Sequence, residues 1–128
     1  MKAYLAIKFH PDFSNRERIE QLSDSLRAVG IETRVMVRDY EKWGEQKFSP
    51  EELMSITFKE INSADMLIVE LSEKGVGLGI EAGYAFAKNI PIIVIARTGS
   101  DISETTRGIT KSVIFYDAPS EVGKKLKT

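Results

Sequence analysis

The 128-residue chain carries 18 basic and 19 acidic side chains, one histidine and no cysteine, for a formal net charge of -1. Without cysteine there is no disulfide, zinc–thiolate site or cysteine nucleophile, and charges of both signs mixed along the chain give no field that would draw it to nucleic acid or an anionic membrane. An apolar content of 42% supports a sizeable core at a length typical of one domain. No apolar run approaches the roughly 20 residues of a membrane span, and Met1-Lys2-Ala3-Tyr4 runs straight into a strand-like segment. The expectation is a single cytoplasmic domain over 1–128, with neither a nucleic-acid polymer nor a membrane as partner.

Residues 3–9 form a mostly apolar run ended by His10-Pro11, as in a strand covered on both faces. Ser14 to Glu17 has capping-box spacing, and Ile19, Leu22, Leu26 and Val29 recur at helical intervals up to a stop at Gly30. A second strand is predicted over Ile31 to Val37, followed by a loop over Arg38–Lys47. Ser49-Pro50-Glu51-Glu52 is a second helix start, with Ser49 as cap and Pro50 at the first helical position. Leu53, Ile56 and Ile61 mark the buried side of that helix. Met66 to Leu71 is too apolar to face water and reads as a central parallel strand. The glycine-rich loop Ser72–Gly79, a small-residue helix at about Ile80 to Lys88 and a strand over Pro91 to Ala96 come next. An irregular segment, Arg97–Lys111, precedes a fifth strand, Ser112–Tyr116, and a terminal helix from Pro119. Such alternation predicts an α/β fold: a doubly wound, flavodoxin- or Rossmann-like parallel sheet of five strands with helices on both faces. Its site should lie outside the carboxyl ends of the strands.

The most informative stretch is Gly75-Val76-Gly77-Leu78-Gly79-Ile80-Glu81-Ala82-Gly83-Tyr84-Ala85, where a loop leaves a buried strand and enters a helix. Alternate glycines at 75, 77 and 79 let backbone approach a ligand, and a helix N-terminus offers N–H groups to an anion. Gly77, Gly79 and Ala82 fit the dinucleotide pattern G-x-G-x-x-A, but after the third strand rather than the first. A P-loop Gly-Lys-Ser/Thr is absent, and the first strand ends in Lys8, Phe9 and His10, not the acidic cluster of a phosphoacceptor domain. Glu81, read in the first helical turn, has an ordinary reason to be there in the helix dipole. It also has the setting of a nucleophile, because burial would raise its pKa while the dipole and loop N–H groups would keep it ionised.

These residues resemble the nucleoside 2-deoxyribosyltransferase superfamily, including its 2'-deoxynucleoside 5'-phosphate N-hydrolase branch. The resemblance runs from Ala64-Asp65 through Glu70, Gly77-Leu78-Gly79 and Glu81 to Ala85, on to Pro91-Ile92. It returns at Ser103 to Gly108 and in the first-strand Tyr4-Leu5-Ala6. It implies that Glu81 attacks C1' of a deoxyribosyl group and displaces the base, forming a glycosyl ester that water or a second base opens. It also implies that the Tyr4 phenol orients Glu81 and that the glycine loop and Ser103 bind a 5'-phosphate, Ser103 across a subunit interface of a homo-oligomer. No metal or organic cofactor is implied. Two positions depart from the pattern. Thr57 stands where the family has a second catalytic carboxylate, which leaves either a slow enzyme or a catalytically silent nucleotide-binding or regulatory module; Glu70, at the carboxyl end of the third strand, and Glu60, on the preceding helix, are candidate substitutes, though each reads more simply as a loop-edge or surface carboxylate. Gly75 stands where the hydrolase branch has a phosphate-binding serine.

Near the carboxyl end of the first strand, His10 and Arg16 are candidates to hold a phosphate, whereas Arg18 reads as solvent-facing. Tyr40, Trp43 and Phe48 offer flat faces to a nucleobase, Trp43 foremost, although loop aromatics more often pin a loop to the core. Arg97 and Arg107 fit a subunit seam or a phosphate pocket equally well.

Overall fold

A computed structural model describes residues 1–127. Five parallel strands, β1 (Lys2–Ala6), β2 (Glu32–Arg34), β3 (Met66–Glu70), β4 (Ile92–Arg97) and β5 (Ser112–Tyr116), form one sheet in the order β2-β1-β3-β4-β5. Tyr4 pairs with Arg34 on one side and Leu67 on the other, and Glu70 pairs with Ile95. Side chains alternate across β1. Ala3 and Leu5 join a core formed with Ile19, Leu22 and Leu26 of α1 (Arg16–Arg27), Tyr116 and Val122. Tyr4 and Ala6 join the opposite core with Ile61 of α3 (Pro50–Ser63) and Leu78, Ala82 and Ala85 of α4 (Val76–Ala87). Helices therefore cover both faces, as the doubly wound reading requires. Two further short helices are α5 (Glu104–Arg107), inside the segment read as irregular, and α6 (Val122–Lys127), which follows a 3-10 turn at Pro119–Glu121. Among the described residues no helix is long and apolar enough to cross a membrane.

The start of α3 follows the sequence signal in full: the Ser49 hydroxyl accepts the Glu52 N–H, and the Glu52 side chain accepts the Ser49 N–H. The capping box read at Ser14 does not form. Ser14 instead bonds the His10 ring at 2.8 Å, and Asn15, in the cap position, accepts the His10 N–H and donates to the Lys8 carbonyl. That donation takes Lys8 out of the ladder, so β1 ends at Ala6 and not at residue 9.

The second strand is also shorter than predicted, because Val35 caps a helical turn, α2 (Met36–Asp39). The Asp39 carboxylate accepts the Val35 N–H at 2.8 Å, and the Arg38 guanidinium donates to the Thr33 carbonyl and the Ser23 hydroxyl. These side chains capture the backbone that would have extended the ladder, while Val35, Met36 and Val37 are all buried whatever their periodicity. The loop that follows includes a 3-10 turn at Lys42–Gly44.

The glycine loop predicted over Ser72–Gly79 is shorter in the structure and ends at Gly75. Helix α4 begins at Val76, with Gly75 as its extended cap residue, and Gly79 makes the first helical bond, to the Gly75 carbonyl at 3.3 Å. Gly77 and Gly79 thus lie in the first turn of the helix. None of the three has positive φ, and a Cβ at Gly77 or Gly79 would meet nothing within 4 Å. Neither backbone strain nor internal packing requires glycine at those two positions.

Candidate active site

Tyr4 is held in the middle of β1, 2% exposed, on the face covered by α3 and α4. Glu81 lies on the second turn of α4, beside Ala82, which anchors that turn to the sheet. Its Oε2 is buried and has no hydrogen-bond partner. Removal from water pushes the Glu81 carboxyl up to about 7, and the Tyr4 hydroxyl is the neighbour that opposes the rise. The phenol itself is driven well above its ordinary range, first by burial and then by the Glu81 charge, with the Thr57 hydroxyl acting the other way. Glu81 was expected in the first turn, stabilised by free N–H groups. Its place on the second turn leaves burial and Tyr4 to set its titration, so it is ionised mainly above neutrality.

Thr57 is 2% exposed on α3, where its hydroxyl donates to the Leu53 carbonyl at 2.8 Å. The position that lacks a carboxylate therefore faces the Tyr4 phenol. Of the two nearby alternatives, Glu60 is committed elsewhere. Burial works against its charge, but the Tyr40 hydroxyl and the Lys2 ammonium, 3.0 Å away, more than compensate and hold it below the ordinary range. Glu70 is 2% exposed, accepts the Ser72 N–H and hydroxyl at 2.6 and 2.7 Å, and receives the Tyr116 hydroxyl. Glu70 is saturated with donors, whereas the buried Glu60 Oε2 has the Lys2 ion pair but no hydrogen-bond partner. The sequence reading passed over Glu41. It is half-buried just after α2, its carboxyl is raised by burial, and its charge reaches the Tyr4 phenol. Nothing in the local pattern marked it, since α2 itself was read as strand and loop.

The loops at the carboxyl edge of the sheet are tied together by side chains. His10 Nε2 meets Glu73 Oε1, joining the loops after β1 and β3. The Arg97 N–H donates to the Ser72 hydroxyl at 2.9 Å and Lys74 pairs with Asp101 at 3.0 Å, joining the loops after β3 and β4. His10, Ser14, Asn15, Arg18 and Arg97 line a hollow of about 320 Å³, into which the sequence-predicted His10 and Arg97 converge. Arg18, read as solvent-facing, is half-buried there, and its Nε is buried without a partner. Arg16 lies outside this hollow: its guanidinium sits 4.5 Å over the Trp43 ring, which also packs against Phe9. Trp43 is thereby pinned to the core and has a cation over its ring. Tyr40 bonds Glu60, and Phe48 is half-buried in the loop. Ser103 caps α5, accepting the Thr106 N–H at 3.4 Å, and Arg107 is exposed at the end of that helix. Among the described residues no cluster of three or more His, Asp or Glu could hold a metal ion.

No family model matches the chain. A Syntrophotalea carbinolica protein named "Putative 2'-deoxynucleoside 5'-phosphate N-hydrolase 1" is 39% identical over 70 residues, 52% of this chain and 49% of that protein. A Thermofilum pendens protein of the same name is 28% identical over 130 residues, covering 99% of this chain and 91% of that one. The chain thus spans about half the length of the first relative and nine tenths of the second. In fold it matches the CMP N-glycosidase of Clostridium botulinum, with a TM-score of 0.70 and 24% identity over 99% of this chain and 98% of that one. It also matches the 2-deoxyribosyltransferase of Bacillus psychrosaccharolyticus, with a TM-score of 0.73 and 18% identity over 96% and 90%. At these identities the likeness is one of fold. The chain is thus similar in sequence to proteins named as 2'-deoxynucleoside 5'-phosphate N-hydrolases and in fold to an N-glycosidase and a 2-deoxyribosyltransferase, in keeping with the resemblance read from its sequence.

Proposed function

We propose that the chain cleaves the N-glycosidic bond of a deoxynucleoside or its 5'-monophosphate, with Glu81 as the nucleophile at C1'. The observation that carries this reading is the buried, unpartnered Glu81 Oε2 beside the Tyr4 phenol. A carboxylate oxygen left without a donor in a dry site is poor structural design but serves a nucleophile, whose lone pair must reach carbon. Tyr4 orients the other part of the carboxylate and favours its ionised form. The relatives' names support the same chemistry.

The first-turn N–H groups of α4 ahead of Gly79 have no intrahelical acceptor. With Gly75, Gly77 and Gly79 leaving the approach uncovered, that turn suits the sugar or a 5'-phosphate. Ser103, His10 and Arg16 are proposed as supporting contacts, and a homo-oligomer as the assembly in which Ser103 would reach a neighbouring site. Trp43 contributes to base stacking only at the edge that Arg16 and Phe9 leave open. No cofactor enters this chemistry.

One observation favours a second reading, a silent nucleotide-binding or regulatory module: Thr57 cannot donate a proton as a carboxylic acid does. Both readings are tested by incubating the protein with deoxynucleosides and deoxynucleoside monophosphates, with and without a second free base, beside Glu81→Ala. Base released by the wild type and lost in the variant supports the enzyme. Nucleotide binding without turnover supports the module.

A further inference from the structure

The order of the sheet reverses between β1 and β3, and in open sheets of this kind the ligand crevice lies at that switch point, outside the carboxyl ends of the strands. The His10–Glu73 contact joins the loops after β1 and β3 there. Beside it lies the hollow of about 320 Å³ that Arg18 and Arg97 line, a volume within the range of small-ligand sites. We propose that this hollow binds a phosphate-class dianion, a phosphate monoester or free phosphate, between the guanidinium groups of Arg18 and Arg97. It belongs to the face covered by α1, and so is distinct from the first turn of α4.

Arg18, in the first turn of α1, is half-buried, and its Nε is shut off from water without an acceptor. A guanidinium has five N–H donors and keeps its charge, so a buried Nε left empty is disfavoured until an anion fills it. Arg97 ends β4 with its backbone N–H fixed to the Ser72 hydroxyl, and its exposed guanidinium also has no hydrogen-bond or ion-pair partner among the described residues. Arg97 pairs with Tyr116 of β5, and the Arg18 charge acts on the Tyr116 phenol, so the two cations share one end of the sheet. The carboxylates of that edge are engaged: Glu73 meets His10 at 2.5 Å, Glu70 takes the Ser72 and Tyr116 donors, and Glu17, exposed at the rim, accepts from Gln21 at 3.3 Å. The wall is built without a ligand, since Asn15 ties the His10 N–H to the Lys8 carbonyl and Ser14 bonds the His10 ring. One carboxylate would occupy one guanidinium fork. A tetrahedral dianion offers oxygens to two forks and neutralises both charges.

The test is isothermal titration of inorganic phosphate, at constant ionic strength and mildly alkaline pH, into wild type, Arg18→Gln, Arg97→Gln and Arg27→Gln. Arg27 lies on the same helix but outside the hollow, paired with Asp24 and Glu32, so its variant controls for the loss of one charge. Wild type and Arg27→Gln should bind phosphate at a single site with matching affinity, and Arg18→Gln and Arg97→Gln should each bind it about tenfold more weakly or worse. Phosphate should raise the Tm of wild type and leave that of Arg18→Gln unmoved. Arg97→Gln alters an exposed side chain and carries the test if Arg18→Gln fails to fold. No saturable binding by wild type, undiminished affinity in Arg97→Gln, or an equal loss in Arg27→Gln overturns the site. Titration of a deoxynucleoside 5'-monophosphate into Glu81→Ala names the source of the anion. If the monophosphate displaces inorganic phosphate and is weakened by Arg18→Gln while the deoxynucleoside is not, the hollow takes the nucleotide's own phosphate. If both bind at once, it takes free phosphate, and either result upholds the site. No turnover is read, so failure here leaves the glycosidic reading standing, whereas a protein that binds phosphate but no nucleotide keeps this site and loses that reading.

Discussion

Tyr4 and Glu81 act on each other in opposite directions: the Glu81 charge adds to burial in raising the phenol, and the Tyr4 hydroxyl lowers the carboxyl that burial has raised. The pair therefore favours one charge state, an ionised Glu81 beside a neutral phenol, and resists two negative charges. Because both side chains are rooted in regular structure, one in β1 and the other in α4, that arrangement is present before any ligand arrives.

A stability prediction follows from the raised Glu81 carboxyl. Its ordinary value is 4.5 and its folded value about 7, so between those pH values the native state binds more protons than the unfolded chain. Stability then falls as pH rises through that window and is flat on either side. The interval corresponds to roughly 3 kcal/mol. Glu81→Gln should be close to wild type at pH 5 and more stable by about that amount at pH 8, read from urea titrations at both pH values. Equal differences at the two pH values would show that the carboxyl is not perturbed by the fold.

Tyr4→Phe removes the one hydroxyl that lowers the Glu81 carboxyl. Hydrogen bonds to charged groups are worth about 1.5–3 kcal/mol. The variant should lose about 10–100-fold in kcat near neutrality, and the acid limb of its pH–rate profile should move to higher pH. A lower rate with an unmoved limb would assign Tyr4 to packing alone.

The buried strands and the α3 start were legible because their signals are local: continuous apolar runs such as Met66 to Val69, and the Ser49–Glu52 pair that caps its own helix. The misread segments are those where a side chain from elsewhere competes for backbone. Asp39 and Arg38 end β2 by bonding Val35 and Thr33, and Asn15 draws Lys8 out of β1. The start of α4 differs because three glycines signal a loop, whereas the packing of Leu78, Ala82 and Ala85 holds Gly77 and Gly79 helical. The pairing of Tyr4 with Glu81 was expected only through the resemblance, since one lies on β1 and the other on α4 and no local pattern joins them.

Ser49→Ala should lower stability by about 1 kcal/mol, because it removes the hydroxyl half of the α3 capping box and leaves the Glu52 N–H without its acceptor, while the backbone N–H of residue 49 still donates to the Glu52 side chain. Base release should survive at temperatures well below Tm, since α3 still presents Thr57 to Tyr4. Matching thermal melts of variant and wild type would mean that solvent caps the helix equally well.

Two glycine-to-alanine substitutions should move stability in opposite directions. Gly123, in α6, donates its N–H to the Ser25 hydroxyl at 2.9 Å, and a Cβ there would run into the Ser25 carbonyl on α1. Backbone cannot yield as a flexible side chain does, so Gly123→Ala should cost about 1–3 kcal/mol. Gly77, exposed on α4 with negative φ and open space at its Cβ position, should gain about 0.5–1 kcal/mol as alanine from the better helix former. If that turn cradles the sugar or phosphate, Gly77→Ala should weaken nucleotide binding although the fold is firmer. Isothermal titration against denaturant unfolding separates the two effects, and a Gly77→Ala protein that gains stability with undiminished affinity would place the ligand away from the α4 N-terminus.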